Sequence, residues 1–303
     1  VRVLVRPDSN RKNLENFPVE VIEGDLRDHS SLKRAISGCD NLFHVAADYR
    51  LWVPDPETMY AINVTGTQAL IMAAAEAGVK RIVYTSSVAT LGLNQDGSPS
   101  TEDTPTSYTA INGYYKRSKF QAEQMVRQLT HDHQLPLVIV NPSTPIGPGD
   151  IRPTPTGRIV LDTLRGRMPA YVNTGLNIAH VDDIAYGHLL AYQHGKPKER
   201  YILGGDNMTL LQILQAIDDI NDIKKYRVNL PISLMLPMAW LMEKVATFTH
   251  IEPRATLDSI HMAKKLMFFS SEKAHRELGY QYRPTIEALR DAVKWYKENG
   301  YCN

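Results

Sequence analysis

The stretch Arg81-Ile82-Val83-Tyr84-Thr85-Ser86-Ser87 decides the fold of this chain. β-Branched and aromatic residues dominate its first part, which predicts a strand over Arg81–Thr85. Hydroxyl side chains follow where that strand ends. Because open α/β sheets bind ligands outside the carboxyl ends of their strands, we expect these hydroxyls to face a ligand.

Similar apolar runs lie on either side of this stretch and alternate with longer helical segments. The predicted strands are Val1–Val5, Val19–Ile22, Asn41–Ala47, Arg81–Thr85 and Leu137–Asn141. Asp55 followed by Pro56 predicts the start of one helix, and Gly78 predicts its end. A second long helix is predicted over Gly113–His133. This alternation predicts an α/β fold with a doubly wound parallel sheet of the Rossmann type.

The glycine-rich turn that usually opens a dinucleotide-binding sheet has no counterpart in the sequence. None of the 18 glycines has the spacing G-x-G-x-x-G or G-x-x-G-x-x-G. The first predicted strand instead resembles the second strand of such a sheet, since Arg6 ends it and Asp25 follows the next strand. We therefore expect a Rossmann-type sheet without its first βα unit. The alternative is a sheet that never had this unit and binds no dinucleotide.

The pattern of predicted strands and helices changes after residue 150. We predict a dinucleotide-binding region over residues 1–150 and, over residues 151–303, mainly a smaller α-rich substrate lobe. Residues from about 177 to 203 are expected to return to the sheet. Thr209-x-x-Gln212 predicts a capping box at the start of a helix. A terminal helix is predicted from an apolar stripe, Ile286, Leu289, Val293 and Tyr296.

Composition is that of an ordinary globular protein. The 303 residues are 43% hydrophobic and 22% charged, with a formal net charge of +1, so neither nucleic acid nor an anionic membrane is an expected partner. The cysteines, Cys39 and Cys302, form no disulfide framework or metal cluster pattern, which suits the cytoplasm. No signal peptide pattern opens the sequence. Prolines and charges interrupt the apolar segment Leu230–Ala246, which predicts a buried or lid helix and no membrane span.

Tyr115-x-x-x-Lys119 carries the predicted chemistry. The spacing places both side chains on one helix face, where a lysine ammonium would lower the high pKa of a tyrosine hydroxyl. The pair alone is common on exposed helices. Ser87, at the end of a predicted strand, adds a donor that can stabilise charge on a carbonyl oxygen. Together the three predict proton transfer to or from a carbonyl or hydroxyl group.

With these residues the chain resembles the extended short-chain dehydrogenase/reductases, also called NAD-dependent epimerase/dehydratases. The resemblance covers essentially the whole chain except for the first βα unit, which has no counterpart here. It rests on Gly24-Asp25-Leu26, His44-Val45-Ala46-Ala47, Asn63-Val64-Thr65-Gly66-Thr67, Tyr84–Ser87, Tyr115–Lys119, Asn141-Pro142, Gly147-Pro148 and His180-Val181-Asp182-Asp183. Further likeness to hopanoid-associated sugar epimerases and dihydroflavonol 4-reductases rests on residues 48–52, 153–158 and 201–205.

The resemblance implies a role for each matching residue. Tyr115 would be the general acid or base, Lys119 would hold the nicotinamide ribose, and Ser87 would bind the substrate oxygen. Asn63 would be a structural residue behind the site. The implied cofactor contacts are Arg6, Asp25, Leu26, Val45, Ala46, Ala47, Thr85, Ser86, Tyr115, Lys119, Pro142 and Thr144.

Simpler interpretations remain open for several of these residues. Asp25 could simply end a strand in a turn, and Ala46 and Ala47 could be buried packing residues. His44 and His180 are expected to be hydrogen-bonded structural histidines. Asp182 and Asp183 are expected to cap a helix, and no residue spacing predicts a metal site.

Arg6 decides the predicted cofactor. An acidic residue at the end of the second strand suits NAD, whereas an arginine suits the 2′-phosphate of NADP. We therefore predict NADP(H), with NAD as the alternative. The 4,6-dehydratase branch has Thr-Asp-Glu where this chain has Ser86-Ser87-Val88, so dehydration is not expected.

Two enzymatic alternatives remain, together with a non-catalytic one. The substrate is a small molecule in either case, and the reaction is reduction of a ketone or aldehyde, or epimerisation of a nucleotide sugar. The candidate substrate contacts are Tyr49, Arg50, Trp52 and Arg158. The third alternative is a cofactor sensor or scaffold, or an inactive truncated form. The two long helices, 55–77 and 113–133, are the implied homodimer faces.

Overall fold

Strands and helices alternate through the computed structural model, which describes residues 1–53, 55–223, 225–249, 257, 260, 263 and 265–302. The strands are β1 Arg2–Val5, β2 Glu20–Glu23, β3 Asn41–His44, β4 Arg81–Thr85, β5 Leu137–Pro142, β6 Thr144–Ile146, β7 Ala170–Tyr171, β8 Gly175–His180, β9 Arg200–Leu203, β10 Asp206–Thr209, β11 Val228–Asn229 and β12 Leu266–Met267. The helices are α1 His29–Ile36, α2 Pro56–Tyr60, α3 Thr67–Glu76, α4 Tyr114–Asp132, α5 Pro155–Leu164, α6 Val181–His194, α7 Leu210–Ile220, α8 Ile232–Thr249, α9 Glu272–Leu278 and α10 Thr285–Glu298. A π-helical segment, Ala61–Gly66, joins α2 to α3.

The central sheet has the strand order β3-β4-β5-β9, and all of its strands are parallel. β1 and β2 form a separate parallel pair. Within the described part of the chain, β1 pairs with β2 alone and β3 with β4 alone. The predicted strands are confirmed, although β3 ends at His44, three residues before the predicted end at Ala47.

A second sheet lies in the C-terminal part of the chain. Its central strand is β8, which is antiparallel to β10 and parallel to both β12 and β6. β9, by contrast, returns to the central sheet and pairs with β5. Because β6 precedes residue 150 and pairs with β8, backbone hydrogen bonds link the two predicted regions. The division into a cofactor region and a substrate lobe stays a prediction.

Side chains of β4 fill the core on both faces of the central sheet. Ile82 and Tyr84 lie in one apolar cluster with residues of α3 and α4. Val83 lies in another cluster, with residues of α6. All three are fully buried, and each large apolar side chain gains about 1.5–3 kcal/mol on burial. The predicted doubly wound arrangement, with helices on both faces, is confirmed.

Local sequence signals fix several helix ends as predicted. The carboxylate of Asp55 accepts a hydrogen bond from the backbone N–H of Glu57, and Pro56 occupies the first helical position. Gly78, with φ of +71°, follows the helix end at Ala77. The capping box of Thr209 and Gln212 is also present.

The start of α6 differs from the prediction. His180 is the N-cap, and its Nδ1 accepts from the backbone N–H of Asp182 at 3.1 Å. Asp182 and Asp183 lie in the first turn, so the prediction that they cap the helix is wrong. Asp183 instead accepts from the backbone N–H of Arg283 at 2.8 Å.

Two apolar predictions in the C-terminal part also need correction. Leu289, Val293 and Tyr296 of α10 are buried, but Ile286 is 37% exposed because it lies outside the packed stripe. α8 covers the segment predicted as a buried or lid helix, yet Leu234 is 65% exposed. α8 is therefore not a fully buried helix, and the alternative of a lid helix stays a prediction. None of the helices described is long and apolar enough to cross a membrane.

Candidate active site

Ser87, Tyr115 and Lys119 come together at the carboxyl end of β4. Ser87 lies just beyond the strand, and the other two lie one turn apart on α4. The hydroxyl of Ser87 lies close enough to that of Tyr115 to favour its ionised form. Lys119 Nζ donates to the backbone oxygen of Thr85 at 2.8 Å and to the hydroxyl of Tyr84 at 3.2 Å. The structure thus assembles the three residues that their spacing selects.

The pKa of the Tyr115 hydroxyl is raised above its usual value. Burial raises the pKa of Tyr115, and the nearby hydroxyl of Ser87 offsets only part of that rise. The expected lowering of this pKa by Lys119 is wrong, because the ammonium is directed at the groups of β4. Tyr115 is consequently a proton donor at neutral pH.

Lys119 is a buried cation, and burial disfavours its charged form. Its side chain is 3% exposed, and Nζ lies 4.8 Å from the ring centroid of Tyr84. Burial lowers the pKa of Lys119 to about 8, and the carboxylate of Glu123 counteracts this effect. The ammonium is therefore charged at neutral pH and loses its proton in mildly alkaline solution.

His44 lies behind this group as a neutral ring. Its Nε2 is 2.8 Å from the hydroxyl of Thr67, and its ring centroid is 5.5 Å from that of Tyr84. Burial and the charge of Lys119 lower the pKa of His44 to about 3. This ring packs beneath the site, as the structural interpretation of His44 predicts.

The π-helical segment ties the loop after β3 to α4. Asn63 Nδ2 donates to the backbone oxygen of Asp48 at 2.8 Å and to the hydroxyl of Ser118 at 2.9 Å. At Gly66, a Cβ atom would lie 2.7 Å from the Cβ of Leu26, so glycine is required for this close packing. π-Helical turns often occur at functional sites. Asn63 therefore supports the site from behind.

Comparison with known proteins places the chain in a family. Residues 1–204 match the sequence model of the NAD dependent epimerase/dehydratase family. The chain belongs to this family. It is 44% identical over 305 residues to a putative dihydroflavonol 4-reductase of Synechocystis sp. (strain ATCC 27184 / PCC 6803 / Kazusa), covering 99% of this chain and 88% of that protein. It is 32% identical over 302 residues to sterol demethylase protein B of Methylococcus capsulatus, covering 99% of this chain and 92% of that protein.

A solved structure supports the same assignment. The crystal structure of gox2253 superposes on the chain with a TM-score of 0.89 and 52% sequence identity. The match covers 99% of this chain and 91% of that chain. As a member of the NAD dependent epimerase/dehydratase family, the chain is an oxidoreductase with a Rossmann fold.

The predicted cofactor contacts of this family member follow successive strands. Arg6 follows β1, Asp25 follows β2, residues 45–47 follow β3, and Ser86 follows β4. Since β3, β4 and β5 are parallel, their carboxyl ends share one edge of the central sheet. This edge is where dinucleotides bind in such folds.

Polar and exposed groups at this edge fit a nicotinamide dinucleotide. Val45 is 61% exposed, so the backbone after β3 is open to a ligand. Ser143 lies between the predicted nicotinamide contacts Pro142 and Thr144. Its hydroxyl is buried and finds no hydrogen-bond partner among the described residues. A carboxamide could supply that partner.

The adenine-side predictions have mixed outcomes. Asp25 is held by Arg27 at 2.8 Å, which lowers the pKa of Asp25 to about 2. Leu26 is 7% exposed and packs against Leu32, so its side chain faces the core. A contact of Leu26 with adenine would have to come from its backbone. Arg6 is exposed at the end of β1.

The four predicted substrate residues do not lie together, since three follow β3 and one is on α5. Tyr49 is 44% exposed and follows β3, as does the half-buried Trp52. Arg50 is paired with Asp48, so its charge is already matched. Arg158 is exposed on α5. Of the four, Tyr49 and Trp52 therefore supply aromatic surface near the end of β3.

Sequence reasoning missed two titratable groups beside the site. Glu123 is buried one turn beyond Lys119 on α4, and the same helical spacing could have found it. His188 Nε2 is 3.0 Å from the hydroxyl of Thr85, while its Nδ1 is 2.8 Å from the backbone oxygen of Ile184. No local signal links His188 to β4.

Proposed function

We propose that the chain is an NADPH-dependent reductase of a ketone or aldehyde. The observation that carries this proposal is that α4 brings Tyr115 and Lys119 to Ser87 at the carboxyl end of β4, where Lys119 Nζ binds the backbone oxygen of Thr85. Burial keeps Tyr115 protonated, which suits donation to a substrate oxygen more than abstraction from an alcohol. This direction favours reduction over the oxidation that begins an epimerisation.

In the proposed mechanism, the residues after β1, β3 and β4 would hold NADPH, which would supply the hydride for the reduction when bound. Ser87 donates a hydrogen bond to the carbonyl oxygen and stabilises the negative charge that develops there. Tyr115 transfers its hydroxyl proton to that oxygen, which completes the alcohol. Water then restores the proton of Tyr115, while the ammonium of Lys119 stays bound to the groups of β4.

Arg6 supports NADP(H) as the proposed cofactor. It stands at the end of β1, and the pKa values of Asp25 and Asp48 are lowered in part by its charge. An arginine there would pair with a 2′-phosphate in two parallel hydrogen bonds. Tighter binding of NADPH than of NADH is expected, and equal affinity would contradict the role of Arg6.

The proposed substrate is a small molecule whose carbonyl is joined to an apolar or aromatic group. Tyr49 and Trp52 supply aromatic surface after β3. The Synechocystis relative is named as a reductase of a dihydroflavonol, which is an aromatic ketone. Val88 follows Ser87 where the dehydratase branch has an acid, so no group there supports loss of water.

A homodimer is proposed through α3 and α4. These two helices pack against each other. Gln121 and Gln124 are exposed on α4. Uncharged amides can enter an interface without the high cost of burying charge. Light scattering would then give twice the 34.1 kDa mass of one chain.

The test begins with binding of NADPH and NADH, followed by a screen of aromatic ketones, aldehydes and nucleotide sugars. Tyr115→Phe should lower kcat at least about 100-fold, since the general acid is lost. Tyr114→Phe is the matched control, because Tyr114 is adjacent, 46% exposed and out of register with Lys119.

The screen separates the alternatives by their products. Conversion of a nucleotide sugar to its epimer without net consumption of NADPH would support the epimerase. NADPH binding without turnover of any compound would support a sensor or scaffold. Equal activities of the two phenylalanine variants would contradict the assignment of Tyr115.

A further inference from the structure

Glu123 is a buried carboxylate that four donors surround. Its Oε2 accepts hydrogen bonds from the hydroxyls of Ser86 and Thr90 and from Asn141 Nδ2, the last two at 2.8 Å. Its Oε1 pairs with Arg200 at 2.7 Å. The Glu123 side chain is 1% exposed, and that of Arg200 is 19% exposed.

The same donors hold the backbone of the turn that follows β4. The carbonyl oxygen of Ser87 accepts from Asn141 Nδ2 at 3.0 Å and lies 2.8 Å from the hydroxyl oxygen of Thr90, whose proton is shared with Glu123. Glu123 therefore fixes the groups that hold Ser87. Ser86, the residue before it, binds the carboxylate directly.

We propose that Glu123 is a positioning residue of the candidate site, which orders the turn carrying Ser87 and keeps Lys119 charged. The inference rests on the proposed function and adds a residue to it. Tyr115, Lys119 and Glu123 lie at successive turns of α4, so a single helix face carries the proton donor, the cation and the carboxylate.

The electrostatic part of this role depends on the charges around Lys119. Tyr84 faces it from β4, His44 from β3, and Tyr115 shares its helix. These three are neutral at pH 7, whereas Glu123 raises the pKa of Lys119 against the effect of burial. Removing the carboxylate should therefore release the lysine proton at lower pH.

The experiment compares E123Q, R200M and the double variant E123Q/R200M in the full chain. The double variant leaves neither charge unpaired, so it keeps the test valid if E123Q does not fold. Titration of Lys119 is followed by NMR of ¹³Cε-labelled lysine, with Lys119→Arg used to assign its signal. kcat and NADPH affinity are measured alongside.

The expected titration midpoint of Lys119 falls by about one pH unit in E123Q and in the double variant, a tenfold change in its acidity. R200M, which keeps the carboxylate, should not lower it. We also expect a drop in kcat of about tenfold for E123Q, with NADPH affinity changed less than about threefold. An unchanged midpoint, or an equal fall in R200M, would overturn the inference.

Failure of the proposed function gives a different result. A wild-type chain that binds no NADPH and reduces no carbonyl would remove the reductase assignment. The midpoint of Lys119 would still decide whether Glu123 keeps that lysine charged.

Discussion

His44 illustrates how one buried residue can set the response of this chain to acid. It is neutral in the folded state, since its pKa is lowered from 6.5 to about 3. The unfolded chain takes up a proton at this residue first, so stability is lost as the pH falls from 6.5 toward 3. Each pH unit in that window costs at most about 1.4 kcal/mol.

His44→Gln should remove this part of the acid sensitivity. Urea unfolding of both proteins between pH 7 and pH 4 would show the wild type losing about 2–3 kcal/mol more than the variant. At pH 7 the variant should be less stable, because it loses ring packing on Tyr84. Parallel pH dependences for the two proteins would show that His44 is not responsible.

For individual residues, the sequence predicts only the contacts that the spacing along one helix or strand determines. Tyr115 and Lys119 could be found because one helix fixes their spacing. Glu123 has the same spacing, but its partners Asn141 and Arg200 lie on β5 and β9, far away along the chain. The rise in the pKa of Tyr115 was missed for the same reason, since burial depends on the whole fold.

Between elements, a buried ion pair connects α7 to the segment before β11. Arg227 binds Asp218 at 2.9 Å through one nitrogen and donates from Nε to the backbone oxygen of Met168 at 3.0 Å. The two charged side chains are 1% and 7% exposed. Removing one partner leaves the other charge buried and unmatched.

Arg227→Met should therefore lower the free energy of unfolding by about 3–5 kcal/mol. Arg276→Met is the matched control, because Arg276 is 62% exposed in its pair with Glu277, and exposed pairs contribute roughly 0–1 kcal/mol. Urea unfolding measures both. Similar losses in the two variants would mean that burial does not decide the contribution of these pairs.

β4 and β5 of the central sheet were predictable because β-branched residues dominate them, whereas the second sheet was not predicted. β8 contains Asn177 and His180, and both are buried. Asn177 Nδ2 donates to the backbone oxygen of Gly205 at 2.7 Å. Such polar positions look like a loop or a strand end until their distant partners are known.

Across the whole molecule, burial is uneven between the β1–β2 pair and the central sheet. All residues of β1 are half-buried and three of the four residues of β2 are exposed, whereas β5 is buried over Leu137–Asn141. Strands with few buried contacts open more easily. We expect amide hydrogens of β1 and β2 to exchange at least about tenfold faster than those of β5.

NADPH should reduce this difference if the proposed cofactor site is correct, because Arg6 directly follows β1 and Asp25 lies two residues after the end of β2. Hydrogen exchange with and without NADPH measures the effect, and the Arg6→Ala variant is the control. Slower exchange in β1 and β2 that persists in the control would point to binding elsewhere.

Most residues of the proton-transfer group lie within a short stretch of the chain, so the group could be kept intact in a hybrid protein. Residues 86–123 supply Ser86, Ser87, Tyr115, Lys119 and Glu123 from one strand end and one helix. The C-terminal part contributes Arg200 to this group. A chimera that exchanges residues after 150 with those of a relative, while keeping an arginine at position 200, would inherit the same acid chemistry. Such a chimera would keep Tyr49 and Trp52 and would exchange only the substrate contacts that residues after 150 make.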